Sequence, residues 1–174
     1  MNVLFVGTLE RRDATFKIIC SQFHSLVKEF ARRSDGFVMR QVKQESDDRV
    51  PVDFLVCEAL SDYCRENGRL SPSALVLFKE PGVSGQDLLL PHISHTATTS
   101  YRLDFYKELL DLVDVVISLG GEFGVLRLLM TCEWVGKPIF LLPGAGGSTD
   151  YLWNDFFKKF HQVAVLTSDE LLQL

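Results

Sequence analysis

Short apolar runs alternate with longer amphipathic stretches along the whole chain of 174 residues. Turn residues bound the short runs, which predicts strands, and the longer stretches carry apolar residues three and four positions apart, which predicts helices with one buried face. The predicted strands span residues 3–7, 37–42, 73–78, 114–119, 138–142 and 162–168. The predicted helices span about residues 14–33, 51–67, 101–113 and 124–135, with one more after residue 147 and a last one from residue 169.

The regular succession of strand and helix predicts an α/β fold. Such alternation is typical of a parallel sheet with helices on both faces. The strands are apolar throughout, as strands that are covered on both sides are. We therefore expect a Rossmann-like, doubly wound parallel sheet of about six strands with helices on both faces, formed by a single domain of residues 1–174.

Polar and glycine residues mark the ends of these elements. Asp13 is predicted to cap the first helix, Gly68 to end the second, and Ser148, Thr149 or Asp150 to cap the fifth. Residues 79–100 form a long polar segment, which is typical of a functional flap or a disordered loop.

Composition and charge narrow the classes of partner. At 47% hydrophobic residues the chain can form a substantial core. The net charge is −5 with no block of basic residues, so we expect no nucleic-acid partner. No apolar run approaches the ~18 residues of a membrane span, and no basic segment precedes the first apolar run, so we expect a cytoplasmic protein without membrane contact.

Cysteine and histidine spacing gives no sign of a metal or cofactor. The four cysteines form no CxxC pair, which indicates buried thiols in a reducing compartment. His92 and His95 lie three positions apart without a third ligand nearby, so we expect no metal site and no cofactor.

The fold class predicts where a ligand binds. Ligands of open parallel sheets lie beyond the carboxyl ends of the strands, where the strand order reverses, and in the common order 3-2-1-4-5-6 this crevice lies between strands one and four. Those strands lead into GTLERR (7–12) and GGEFG (120–124), and strand five leads into PGAGG (143–147). Three glycine-bearing turns therefore meet at one edge of the sheet.

The GGEFG turn has the features of an anion site. Glycine permits positive φ and close approach of the backbone to a ligand. The helix that follows points its free N–H groups and its positive dipole end at the crevice, which suits a phosphate. The motif is not GxGxxG, and no acidic residue ends strand two to bind a ribose, so we do not expect a standard NAD dehydrogenase.

The stretch DVVISLGGEFGVLRLLMTCEWVGKPIFLLPGAGG (114–147) resembles the nucleotide-binding core of the SMF/DprA–LOG superfamily, the SLOG domains. LOG-type members are phosphoribohydrolases, and other SLOG domains are sensors of NAD-derived or ADP-ribose-like nucleotides. Gly120, Gly121, Gly124, Lys137 and Pro138 match the family pattern. The first turn, with Gly7 and Thr8, is similar as well, and Arg102 stands where such families place an arginine ahead of a helix.

The departures from the LOG pattern fall on the catalytic positions. The family threonine after the third glycine is Val125, and the family glutamate that acts on the ribose is Arg127. Arginine stays protonated at usable pH, so it cannot act as a base or a carboxylate nucleophile. The turn holds two residues, Glu122 and Phe123, where LOG enzymes hold one, and the glycine-rich loop after strand two is missing.

Together these features predict a nucleotide-binding domain that has lost the catalytic glutamate of the family. The expected ligand is ADP-ribose-, NAD-derived or nucleoside-phosphate-like, and the expected role is that of a sensor or ligand carrier with a possible effector protein. The candidate binding residues are Gly7, Thr8, Arg11, Glu80, Arg102, Gly120, Gly121, Glu122, Phe123, Gly124, Val125, Arg127, Gly144, Gly146 and Gly147. The resemblance also implies a homodimer.

Two alternatives remain open. The chain could be a LOG-like nucleotide N-glycosidase that uses a relocated carboxylate, for which Glu122 is the weak candidate. Glu133 is a poorer one, because nine residues of helix separate it from Gly124, a rise of about 13 Å. The chain could also be an interaction module whose pocket is vestigial.

Overall fold

The computed structural model describes residues 1–12, 14–33, 35–40, 48–68, 75–78, 94–96, 102–156 and 163–165. The strands are β1 Asn2–Glu10, β2 Gly36–Arg40, β3 Arg49–Pro51, β4 Leu75–Phe78, β5 Ser94–Thr96, β6 Val115–Gly120, β7 Ile139–Leu142 and β8 Val163–Val165. The helices are α1 Phe16–Arg32, α2 Val52–Asn67, α3 Arg102–Asp111, α4 Phe123–Val135 and α5 Gly147–Tyr151, and α5 continues into a π-helical turn, Leu152–Phe156.

The strands form one sheet in the order β5-β4-β2-β1-β6-β7-β8, with every neighbouring pair in that order parallel. β3 lies off this path and pairs antiparallel with the end of β1. The predicted α/β class and the parallel sheet are confirmed. The six strands predicted from the sequence also lie in the order 3-2-1-4-5-6, so the reversal of strand order falls between β1 and β6.

Helices cover both faces of the sheet, as the uniformly apolar strands predict. On one face, Phe5 of β1 meets Phe23 and Phe30 of α1 edge to face, with ring centroids 5.2 and 5.8 Å apart. On the other face, Leu4 and Val6 of the same strand join the core formed with α3 and α4. Successive β1 side chains therefore enter different cores, which requires an apolar residue at every position.

The structure corrects the predicted carboxyl end of β1. This strand continues to Glu10 rather than ending at Gly7, because β3 pairs with Thr8, Leu9 and Glu10. Residues 7–10 are therefore strand, and the turn begins at Arg11. The unpredicted β3 and β5 have three residues each, too few for a recognisable pattern.

The predicted caps have mixed outcomes. Gly68 ends α2 with φ of 95°, as predicted. The N-cap of α1 is Thr15, and Asp13 lies outside the described residues. The N-cap of α5 is Gly146, so the prediction of a cap at residues 148–150 is wrong, because those residues lie within the helix and make other contacts.

Two predictions fall partly or wholly outside the described residues. Within the predicted loop of residues 79–100 the structure describes only β5, and the helix predicted from residue 169 lies beyond the last described strand. No helix in the described parts of the chain is both long enough and apolar enough to span a membrane.

Candidate functional site

The turn between β6 and α4 needs glycine for reasons internal to the fold. Gly120 and Gly121 have φ of 65° and 94°, which residues with a side chain rarely adopt. A Cβ on Gly120 would lie 2.5 Å from the carbonyl oxygen of Thr8, and one on Gly121 would lie 2.7 Å from Val125. The N–H of Gly121 donates to the Thr8 oxygen over 3.0 Å, so the turn is fixed against the end of β1.

The N-terminus of α4 opens at this turn. Its first hydrogen bonds are donated by the N–H groups of Val125 and Leu126 to the carbonyl oxygen of Glu122, over 2.9 and 3.0 Å. The N–H groups of Phe123 and Gly124 precede them and belong to the orphan donors that a helix N-terminus leaves. A Cβ on Gly124 would meet nothing within 4 Å, and the ring of Phe123 is 76% exposed. Backbone donors and an aromatic face therefore lie next to one another on open surface.

The second glycine turn differs, because a carboxylate of the chain already occupies its donors. The N–H groups of Gly144 and Gly146 donate to the two carboxylate oxygens of Asp150, over 2.7 and 2.5 Å. A ligand phosphate at this turn would have to displace Asp150.

The first residues of α5 donate hydrogen bonds to carbonyl oxygens of the β6–α4 turn. The Ser148 hydroxyl donates to the carbonyl oxygen of Glu122, and the buried Thr149 hydroxyl donates to that of Gly120, both over 2.7 Å. The Ser148 N–H donates to the carbonyl oxygen of Gly121 over 2.8 Å. A side chain on Gly147 would overlap that same Gly121 oxygen. The second glycine turn therefore positions the first.

The predicted residues at the end of β1 are part of the sheet. Gly7 is buried, with φ of 150°, and a Cβ there would overlap the carbonyl oxygen of Leu119 on β6. Thr8 pairs with Gly120 on one side and with Pro51 on the other. Only Arg11 reaches the surface, where its N–H donates to the carbonyl oxygen of Asp48 over 2.8 Å.

Sequence reasoning missed two charged pairs at this edge. Arg49 of β3 forms an ion pair with Glu122, and its guanidinium lies 4.0 Å from Glu10. Arg40, which ends β2, donates to the fully buried carboxylate of Asp53 from both its backbone N–H and its guanidinium, over 2.9 Å each. Arg49 lies next to a polar stretch that predicts only a loop, so no pattern in the sequence signalled its position.

The remaining predicted residues are spread more widely. Arg127 is exposed on α4 and its guanidinium carbon lies 5.8 Å from the centre of the Tyr106 ring on α3. Val125 is buried behind the turn. Arg102 is the first residue of α3, and its side chain, like all of Glu80, lies outside the described part of the chain.

Cysteines and metal ligands add no chemistry at this edge. All four cysteines are free thiols, and burial raises the pKa of Cys57 and of Cys132 to about 12. Among the described residues, no group of three or more histidine, cysteine, aspartate or glutamate side chains gathers in a way that could hold a metal ion.

An open cleft of about 60 Å³ lies on the α1 side of the sheet edge. Its lining combines α1 side chains with the ends of β6 and β7: Ile19, Gln22, Phe23, Leu26, Leu119, Leu142 and Pro143. Ligand pockets usually measure about 300–1,000 Å³. This cleft is therefore smaller than a nucleotide needs.

Solved structures show which proteins share this fold. The chain is similar to the protein TM1055, at 23% identity and a TM-score of 0.61, over 99% of this chain and 96% of that one. It is similar to DNA processing protein A from Helicobacter pylori, at 15% identity and a TM-score of 0.64, over 99% and 79% of the two chains. It is also similar to a molybdenum cofactor binding protein from Rippkaea orientalis, at 16% identity and a TM-score of 0.61, over 99% and 91%.

These likenesses identify the fold. No protein-family model and no curated protein matches the sequence. The chain has the predicted Rossmann-like fold and shares it with these three proteins, one of which is a DNA processing protein A.

One expectation about partners is wrong. The acidic net charge predicts no nucleic-acid partner, but the DNA processing protein A that shares this fold binds single-stranded DNA. Net charge is summed over the whole chain, whereas a nucleic acid meets one surface. Arg11, Arg12 and Arg49 lie at the carboxyl end of β1. Arg12 is ion-paired there with Asp48, and Arg49 with Glu122.

Proposed function

We propose that residues 1–174 form one domain that binds a nucleotide at the carboxyl edge of the sheet between β1 and β6, as a sensor or ligand carrier. The observation that carries this proposal is the β6–α4 turn. Its orphan N–H groups suit a phosphate, and the exposed ring of Phe123 beside them suits a base. The ligand class is an ADP-ribose-, NAD-derived or nucleoside-phosphate-like molecule.

Binding without cleavage is favoured by the charges beside the turn. Arg127 occupies the position of the catalytic glutamate of LOG enzymes, and its guanidinium lies over the ring of Tyr106. Glu122, the relocated carboxylate that an N-glycosidase would need, is ion-paired with Arg49. A carboxylate engaged by a guanidinium must leave that partner before it can contact the sugar of a ligand.

Nucleotide retention tests this proposal. The protein is incubated with AMP, ADP-ribose, cyclic ADP-ribose and NAD, separated by filtration, and both fractions are analysed by chromatography. We expect at least one nucleotide to remain with the protein unchanged. Release of free base would instead support the N-glycosidase, and retention of none of the four would favour the interaction module with a vestigial pocket.

A second candidate ligand is single-stranded nucleic acid. The observation that favours it is the fold shared with a DNA processing protein A, together with an exposed aromatic ring beside backbone donors, which a nucleotide within a strand could use as well. A labelled oligothymidylate competes directly with the nucleotides in the same assay. Displacement of a retained mononucleotide by the oligomer would place both ligands at one site.

The exposed face of α4 supports a homodimer. Phe123, Met130 and Trp134 follow one another on this helix at intervals of seven and four positions, and Trp134 is 87% exposed. Exposed apolar stripes of this kind are typical of interfaces. An antiparallel pairing of two α4 helices would bring Phe123 of one copy towards Trp134 of the other.

Sedimentation velocity tests the dimer. We expect Trp134→Glu to convert the dimer to a monomer, because a charge would replace the largest apolar group of the face. Ile18→Glu is the matched control, since Ile18 is an exposed apolar residue on α1. A monomeric wild-type protein, or equal effects of the two substitutions, would contradict an interface on α4.

A further inference from the structure

The Arg49–Glu122 ion pair spans the point where the strand order reverses. β3 pairs with Thr8, Leu9 and Glu10 on the edge of β1 that faces away from β6, because Thr8 already pairs with Gly120 on its β6 edge. Glu122 follows β6, on the opposite side of β1. The guanidinium of Arg49 therefore reaches across the carboxyl end of β1 to the N-terminus of α4.

The carboxylate of Glu122 makes this contact in place of a cap on its own helix. Glu122 is the N-cap residue of α4, with an extended backbone (φ −119°, ψ −166°), and its side chain makes no capping hydrogen bond. N-cap side chains commonly accept hydrogen bonds from the first N–H groups of the helix. Here the carboxylate of the N-cap residue is instead ion-paired with the guanidinium of Arg49.

Both partners of the ion pair remain accessible to a ligand. The Arg49 side chain is 41% exposed and that of Glu122 is 53% exposed. The second carboxylate near Arg49, that of Glu10, is 4.0 Å from the guanidinium, at the limit of an ion pair. A guanidinium has five N–H donors in a planar fork, and this fork binds phosphate oxygens in pairs.

We propose that Arg49 is the residue that makes this site select a phosphate-bearing ligand, and that Glu122 competes with the phosphate for its guanidinium. A phosphate at the N-terminus of α4 would receive the orphan N–H groups and the Arg49 fork together. This inference rests on the proposed nucleotide site and adds its selectivity.

Opposite effects of two substitutions separate this role from a merely structural one. Removing the cation with Arg49→Gln weakens phosphate binding and leaves the Glu122 charge to repel the ligand. Removing the competing anion with Glu122→Gln frees the guanidinium and strengthens phosphate binding. An ion pair that only stabilised the turn would instead make both substitutions act in the same direction.

The test measures the affinities of AMP and adenosine by titration calorimetry in one low-salt buffer. We expect the wild-type protein to bind AMP at least about tenfold more tightly than adenosine, the equivalent of about 1.4 kcal/mol. Arg49→Gln is expected to bring the AMP-to-adenosine ratio close to one. Glu122→Gln is expected to raise AMP affinity about threefold and to leave adenosine affinity unchanged, within the usual size of exposed charge effects.

The matched control is Arg65→Gln on α2, an exposed arginine that pairs with Asp62 over 2.7 Å. It removes the same charge far from the edge and is expected to leave both affinities unchanged. Equal losses of AMP and adenosine binding in Arg49→Gln, or weaker AMP binding in Glu122→Gln, would overturn the inference. If the wild-type protein bound neither AMP nor adenosine, both the proposed function and this inference would fail. If AMP bound and Arg49→Gln left its affinity unchanged, only this inference would fail.

Discussion

At the scale of single residues, the glycines of the β6–α4 turn have different physical roles. Gly121 is required by the fold, because its φ is positive and a Cβ would meet Val125. Gly124 has neither constraint, since it lies in the first turn of α4 and nothing stands within 4 Å of a Cβ there. The fold therefore has no need of glycine at position 124, which points to a role at the surface.

Alanine substitutions distinguish these two glycines. We expect Gly121→Ala to lower the free energy of unfolding by about 1–3 kcal/mol, because alanine is strained at positive φ and crowds Val125. Gly124→Ala is expected to be neutral or stabilising by up to about 1 kcal/mol, since alanine is the better helix former. Urea denaturation measures both. A destabilised Gly124→Ala protein would show that the glycine has a structural role that the geometry does not reveal.

Secondary-structure elements around the site depend on one another through hydroxyl groups. Thr149 at the start of α5 donates to Gly120, and its hydroxyl lies 2.7 Å from that of Ser118 on β6. Both side chains are buried. A short helix therefore fixes the carbonyl groups of the turn that precedes α4.

Removing this hydroxyl tests the coupling between α5 and the turn. We expect Thr149→Val to cost about 1–3 kcal/mol of unfolding free energy, because the substitution leaves buried polar groups without their partner. Thr131→Val is the control, since the exposed hydroxyl of Thr131 only donates to the carbonyl oxygen of Arg127 within α4. Its effect is expected to stay within about 0.5 kcal/mol. Equal losses in thermal denaturation would argue against a special role for α5.

The elements that the sequence predicted are those with long, uniform patterns. β1, β6 and β7 are apolar runs, and clear turn residues mark the ends of α1 and α4. The sequence therefore predicted both the reversal of strand order and the turn at Gly120 and Gly121. β3 could not, because three residues with a proline show no period, and its partner is distant in sequence. The sequence therefore could not predict the ion pair between Arg49 of β3 and Glu122. It also could not predict that the Asp150 carboxylate accepts the N–H groups of the second glycine turn.

At the scale of the whole molecule, buried thiols link stability to alkaline pH. Burial raises the pKa of Cys132 from 9.0 to about 12. The folded state then holds this proton at pH values where the unfolded chain releases it. The stabilisation is complete below pH 9 and decreases as the pH rises from 9 towards 12.

A comparison of the wild-type protein with Cys132→Ala measures this linkage. We expect the unfolding free energy of the wild-type protein to fall above pH 9 by up to about 1.4 kcal/mol per pH unit for this thiol. The variant is expected to show a shallower decline, because it has lost one titrating group, although it starts from a lower stability. Parallel pH profiles of the two proteins would contradict the assigned cause.

A single substitution tests whether the N-terminus of α4 holds the phosphate of a nucleotide. The affinity of AMP is measured by titration calorimetry for the wild-type protein and for Gly124→Ala, whose stability is expected to be intact. We expect at least about a tenfold loss of affinity, because a methyl group would stand where the phosphate approaches the backbone. Undiminished AMP binding by a folded Gly124→Ala protein would contradict a site at this turn.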